Sequence, residues 1–294
     1  MAIEKITNDI FFKKINFLHY GEFQFLPEPF FSQYKEFNSD NYGTEIISTG
    51  HALLLFILDV IRKDYKKGAE YISYLTLGYP DKEHTDIYYS IHDCVNLQRL
   101  YINSLKTLDF KNPRDQALII NSYFRWYCSV YETYRKFLIY CVVCHKFTSN
   151  QEFNDLDYYL FNIGHPEKIL RSEVNKNRNE LILKYFNGEV RHTISHSNIL
   201  LLKGEKNPHQ FSIVLRQTSE DKNSSNQILF DSFKDFVESV DKKIMVQYQS
   251  MRFCLVIISG FIVNHYGVKY KDLVGGEITI PPITARLLKD VPMF

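Results

Sequence analysis

The chain has no surplus of either charge, no repeat, no low-complexity tract, no long Gly/Ser/Pro linker and no apolar run that approaches a bilayer's thickness. Lys and Arg number 35 against 34 Asp and Glu, a net charge of +1, so no overall field draws the chain to nucleic acid or to an anionic membrane, and any RNA site must be a local patch. The longest largely apolar runs, Ala52 to Leu58 and Phe253 to Val263, fall well short of the roughly 20 residues that span a bilayer. No transmembrane helix and no membrane partner are expected. The leader MAIEKITNDIFFKK lacks the uninterrupted apolar stretch of a signal peptide, because Glu4, Lys5, Asn8 and Asp9 break it, and the expected location is the cytoplasm. Five cysteines, an odd count scattered through apolar stretches, suit buried thiols in a reducing compartment rather than a disulfide framework.

What is present is helical periodicity. With 45% apolar residues over 294 positions, the chain can bury one large core or two modest ones. Ser48 to Lys67 reads as a largely buried helix. Asp86 to Leu108 places Ile87, Ile91, Cys94, Val95, Tyr101, Ile102 and Leu105 on one stripe. Asn112 followed by Pro113 is a cap and a first-turn proline, and opens a long helix ending near Phe147. His165 and Pro166 open another that runs toward His196, with Asn187 and Gly188 placed to kink or split it. Ile199 to Leu202 and Phe211 to Arg216 form a short β-hairpin. Asp231 is expected to cap a last long helix that Gly267 terminates. The expected fold is therefore all-α, a bundle of long amphipathic helices with a small β-hairpin between the motif helix described below and the last long helix. A boundary near Lys111 separates an N-terminal helical region, 1–111, from a helical bundle with a C-terminal tail, 112–294.

One string carries chemistry. Arg191-His192-Thr193-Ile194-Ser195-His196 puts a permanent cation and two imidazoles within about two helical turns. Metal-independent RNA scission needs a group to take the 2′-OH proton and one to protonate the departing 5′-oxygen, and histidine titrates in the range for either. His196 is assigned that task. A guanidinium can hold the charge that gathers on the non-bridging oxygens, which is the part given to Arg191. On one straight helix the two side chains lie about 140° apart, so both reach one phosphate only near a helix end or across a subunit interface.

The R-x-x-x-x-H spacing, with polar His192 directly after the arginine, resembles the signature of the HEPN ribonuclease superfamily over roughly residues 112 to 267. The resemblance implies a compact helical bundle, Arg191 and His196 as catalytic residues, His192 as a supporting substrate contact, and two protomers joining their motifs in one cleft of a homodimer. It also implies an acidic residue on the preceding helix that steadies the arginine, a position matched by Glu132 in Tyr131-Glu132-Thr133-Tyr134. The implied activity is metal-independent endoribonuclease action on RNA, with no cofactor and no metal. By analogy the setting is a toxin or an anti-phage defence effector, with an antitoxin or regulatory partner and residues 1–111 as the sensing or restraining part. The alternative from another class is a non-catalytic HEPN-like helical module that binds RNA or a protein.

Other candidates have plainer readings. Cys141-Val142-Val143-Cys144-His145 formally matches a haem-attachment string or half a zinc site, but it lies in a continuous apolar helix with no second spaced pair, which suits core thiols. His51 and His92 read as core or cap residues. Lys203, Lys206 and His209, with Lys176, Arg178 and Lys184, are a possible source of positive charge near the motif.

Overall fold

The computed structural model describes residues 37, 41–64, 67–68, 71, 75, 87–151, 165–172, 176–186, 188–195, 199–203, 210–217 and 226–266. Among these, the helices are α1 (Gly43–Lys63), α2 (Ile87–Thr107), α3 (Pro113–Thr148), α4 (Pro166–Ser172), α5 (Lys176–Leu183), α6 (Glu189–Ser195) and α7 (Phe233–Tyr266), with strands β1 (Ile199–Lys203), β2 (Phe211–Gln217) and β3 (Asn226–Phe230) between α6 and α7. The fold is mostly helical, with a small antiparallel sheet where the hairpin was expected. The chain divides into two compact units that interleave along the sequence: 1–89, 135–184 and 249–294 form the first, 90–134 and 185–248 the second. Both α3 and α7 contribute to each, whereas the sequence reading set a single boundary near Lys111.

In the first unit, α1 begins with Glu45 in its first turn and ends with Arg62 and Lys63 in its last, charges that suit the helix dipole. Its 21 residues, with a mean hydropathy of 1.6 over their most apolar window, make it the one helix among the described residues long and apolar enough to cross a membrane, and 67% of that window is buried in the protein. The apolar length is spent on packing. Leu53, Phe56, Ile57 and Val60 are buried, α5 packs along α1, and Ser250 Oγ of α7 donates to the Ile46 carbonyl at 3.2 Å. A side chain at Gly50 would stand 2.5 Å from Phe253 and 3.0 Å from the Ser250 carbonyl, so this crossing requires glycine.

The second unit is dominated by aromatic packing. Tyr101 stacks on Trp126, Tyr123 meets Trp126 and Phe236 edge-on, and Phe124 and Phe230 both abut Phe236. Rings of this size bury large areas and lock one another's orientation. α3 starts as expected, with Asn112 Oδ1 accepting from the Arg114 amide at 3.0 Å and Pro113 as first residue. α7 starts one residue later than the sequence suggested: Ser232 Oγ, not Asp231, accepts from the Asp235 amide at 3.2 Å and donates to the Asp235 carboxylate at 2.8 Å, a reciprocal cap. It ends at Tyr266, immediately before Gly267, which lies outside the described residues.

The sheet has the order β1-β2-β3, with Leu201 opposite Ile213 and Val214 opposite Leu229. The hairpin thus gains a third strand. Buried Ile213, Val214 and Leu215 anchor β2, and Gln116 of α3 accepts from the Phe211 amide at 2.7 Å, fixing where the strand begins. The expected long helix toward His196 is instead α4, α5 and α6 in succession, the last break falling where Asn187 and Gly188 were expected to split it.

Candidate functional site

The motif helix α6 is seven residues long and too short to hold itself, so its position comes from what surrounds it. It opens with the His192 amide donating to the Gly188 carbonyl at 2.8 Å and packs against β2. The connection before it is pinned at two points. Buried Gln247 of α7 donates through Nε2 to the Tyr185 carbonyl at 2.8 Å, and Phe186 stacks on Tyr131 of α3, with ring centroids 4.6 Å apart and planes 9° apart. Gly188 passes so close to Tyr131 that a Cβ there would stand 2.7 Å from the phenol oxygen. Thr193, buried at 2% exposure, turns into the core and leaves the adjacent Arg191 half-buried and His192 exposed.

These constraints bring Arg191 to Glu132. The guanidinium Nη2 and the carboxylate Oε1 form an ion pair, with the side chains 32% and 36% exposed. Glu132 follows Tyr131, so the ring that fixes the connection and the carboxylate that receives the arginine come from consecutive residues of one helix. Arg191 Nε is shielded and finds no hydrogen-bond partner among the described residues. Of the sequence-predicted site residues, Arg191 and Glu132 are therefore brought together. α6 stops at Ser195, and His196, next in the chain, lies outside the described residues.

Beside the pair the second unit is hollow. A cavity of about 900 Å³ is lined by Leu100 and Ser104 of α2, Asn121, Arg125 and Cys128 of α3, and Ser195 of α6, among others. Cys128 connects this cavity to the pair. Burial pushes its thiol up to about 11, a hydrogen bond from Ser195 and the charge of Arg191 pull the other way, and Glu132 adds to the rise. The thiol therefore stays protonated at neutral pH, and a thiolate nucleophile is not available there.

The remaining candidates do not converge. Cys141 and Cys144 are fully buried, and burial raises both thiols far above their ordinary range. His145 instead shares a hydrogen bond with Ser149 at 3.2 Å, and His165 pairs with Glu167 at 3.1 Å. His92 meets Asn96 at 3.2 Å on its own helix. Arg178, considered as a source of exposed charge, is 11% exposed, bonds Asp59 at 2.7 Å and lies 3.8 Å over the Phe56 ring: it belongs to the framework of the first unit. Lys203 is exposed, whereas Lys206, His209 and the Lys176 side chain lie outside the described residues. Among the described residues no group of three or more His, Cys, Asp or Glu could hold a metal ion. The cavity, and the roles of Gln247, Tyr131 and Cys128 around the motif, had no signal in the linear sequence beyond ordinary core and helix patterning.

The architecture so defined is a helical protein with a small sheet, bearing a half-exposed arginine-glutamate pair beside an open cavity. No protein-family model matches the chain, and no curated protein or solved structure matches it.

Proposed function

We propose that the chain is a metal-independent endoribonuclease whose chemistry is carried by Arg191 and His196, as its resemblance to HEPN ribonucleases implies. The observation that carries this reading is the Arg191–Glu132 pair: a carboxylate from the long preceding helix orients the motif arginine while about a third of each side chain stays open to solvent. An arginine serving only as framework gains nothing from that openness. In the proposed reaction the ribose 2′-oxygen attacks the adjacent phosphorus as its proton passes to a histidine base, and the bond from phosphorus to the 5′-oxygen breaks. That leaving oxygen takes up a proton, and the upstream fragment ends in a 2′,3′-cyclic phosphate. Arg191 holds the negative charge on the non-bridging oxygens. His196 carries proton transfer, with His192 as a supporting contact. The chain acts as a homodimer in which two motifs face one cleft, in the cytoplasm. An enzyme of this kind needs restraint in its host, which fits a toxin or anti-phage effector with a regulatory partner.

The deciding experiment is cleavage of single-stranded RNA in EDTA by the wild-type chain, His196→Ala and Arg191→Ala. The expected result is cleavage by the wild type, products ending in a 2′,3′-cyclic phosphate, and loss of nearly all activity in both variants with melting temperatures unchanged. Full activity in both variants, or an absolute need for magnesium, would overturn the reading.

A further inference from the structure

The cavity beside the motif has a chemical character of its own. Its lining contains a single charged residue, Arg125, and no carboxylate. Leu118, Asn121, Arg125, Cys128 and Glu132 recur at intervals of three and four residues on α3, so they share one face of that helix. Leu118 is 51% exposed, and Asn121 and Arg125 are exposed. Neither Asn121 nor Arg125 has a hydrogen-bond or ion-pair partner among the described residues. The serine hydroxyls of the lining are spent differently: Ser104 and Ser122 donate back to carbonyls of their own helices at 2.9 and 2.7 Å. The unspent polar groups are thus one amide and one guanidinium, set among leucine and isoleucine side chains, on a face that leads to the Arg191–Glu132 pair.

This combination selects for a ligand with an anionic group, an apolar face and an edge of hydrogen-bonding atoms. A nucleotide has all three. Seven residues separate Arg125 from Glu132, about 10 Å along the helix axis, enough to set a nucleoside between a phosphate at Arg191 and the next phosphate at Arg125. A volume of about 900 Å³ lies within the range of small-molecule sites, about 300–1,000 Å³.

Building on the ribonuclease reading, we infer that this cavity is the subsite for the nucleotide adjoining the scissile phosphate, with Arg125 holding the neighbouring phosphate and Asn121 reading the base edge. Cleavage should then depend on the identity of the base at that one position. The cavity wall, not the Arg/His motif, sets where RNA is cut.

The test measures binding separately from cleavage. Uncleavable 2′-fluoro hexanucleotides of A, C, G or U are titrated by fluorescence anisotropy into the full chain, into Arg125→Ala and into Asn121→Ala, and cut sites in a randomised RNA are mapped for all three. Arg125→Ala is expected to weaken binding about 10-fold and to lower the salt slope by about 1. Asn121→Ala should leave overall affinity close to that of the wild type but erase about a 10-fold preference among the four bases. Both side chains are exposed, so melting temperatures should not move. Unchanged affinity and unchanged cut sites in both variants would overturn the subsite, as would equal binding of an acidic peptide of the same charge. Cleavage that persists with those variants silent keeps the ribonuclease and removes the subsite. Oligonucleotide binding that Arg125→Ala weakens and whose base preference Asn121→Ala erases, in a chain that cuts no RNA, keeps the subsite and removes the ribonuclease.

Discussion

Each of the two units holds an arginine paired with a carboxylate from a distant stretch of chain, and the two pairs are built to opposite ends. In the first unit Arg178 meets Asp59 at 2.7 Å with only 11% of the arginine exposed, its guanidinium 3.8 Å over the Phe56 ring. Burial, the Phe56 ring and a carboxylate hold the group inside the unit, so it serves as a rivet between α5 and α1, although its Nε, like that of Arg191, finds no partner among the described residues. In the second unit Arg191 meets Glu132 with about a third of each side chain in solvent, next to a cavity and on a helix too short to be structural by itself. The chemical pair is the same. What differs is whether the guanidinium is open to solvent, 11% against 32% exposed, and that separates a framework ion pair from a site.

The comparison predicts opposite consequences for the same substitution. Arg191→Ala should cost about 100- to 1,000-fold in RNA cleavage, the scale of removing one transition-state charge donor, with little change in melting temperature, since an exposed pair contributes about 1 kcal/mol or less. Arg178→Ala should leave Asp59 without its closest partner and lower stability by about 2–4 kcal/mol, a figure near the low end for breaking a buried pair because Asp59 is 33% exposed. Cleavage per folded molecule should be unaffected. Chemical denaturation and single-turnover cleavage on both variants check the contrast, and an Arg191→Ala chain that unfolds like Arg178→Ala would erase it.

Gly188→Ala probes what holds the open pair in place. The new Cβ would stand 2.7 Å from the Tyr131 hydroxyl, and that ring cannot swing aside cheaply, because it is buried and stacked on Phe186. We expect a loss of about 1–2 kcal/mol and about a 10-fold loss of cleavage, through displacement of the helix that carries Arg191. An active, fully stable Gly188→Ala would show that Tyr131 does not position the motif.

How much of this was legible in the sequence follows the reach of each signal. The start of α3 was readable because a cap and a first-turn proline are local statements, and α2 and α7 because apolar periodicity is. The sheet's third strand was not: Asn226 and Gln227 open it and Ile228 and Leu229 are both exposed, so no alternation marks it, and it exists by pairing along β2. The cap of α7 moved to Ser232 because aspartate and serine stand side by side and only geometry chooses. Glu132 was found through a resemblance, not through its own environment. The cavity was illegible, since its lining comes from α2, α3, α6 and β1 and no stretch of sequence announces such a meeting. Arg178 and Arg191 look alike in sequence for the same reason.

The smallest expected effect is also the most local. Of five cysteines, none in a disulfide, Cys128 alone is not fully buried, so a thiol reagent applied to the folded protein reads that position. Its thiol is pushed up to about 11 from an ordinary 9.0, first by burial, with Ser195 and Arg191 opposing and Glu132 adding. Between pH 9 and 11 the folded chain therefore holds a proton here that the unfolded chain has begun to release. This contribution to stability is complete below about pH 9 and is lost as pH rises toward 11. Cys128→Ser should accordingly narrow its stability difference from the wild type across that window, measured by urea denaturation at each pH. The labelling rate then reports on the pair itself. Removing the cation with Arg191→Ala should slow iodoacetamide modification at pH 9 severalfold, because the thiolate loses a stabilising charge. Glu132→Gln should speed it, because a destabilising charge is gone. Arg178→Ala should leave it unchanged while the protein remains folded. Opposite shifts from the two partners of one pair, and none from the other pair, are what a charge-sensing thiol beside Arg191 must give, and equal shifts from all three would mean that labelling follows loosening of the fold instead.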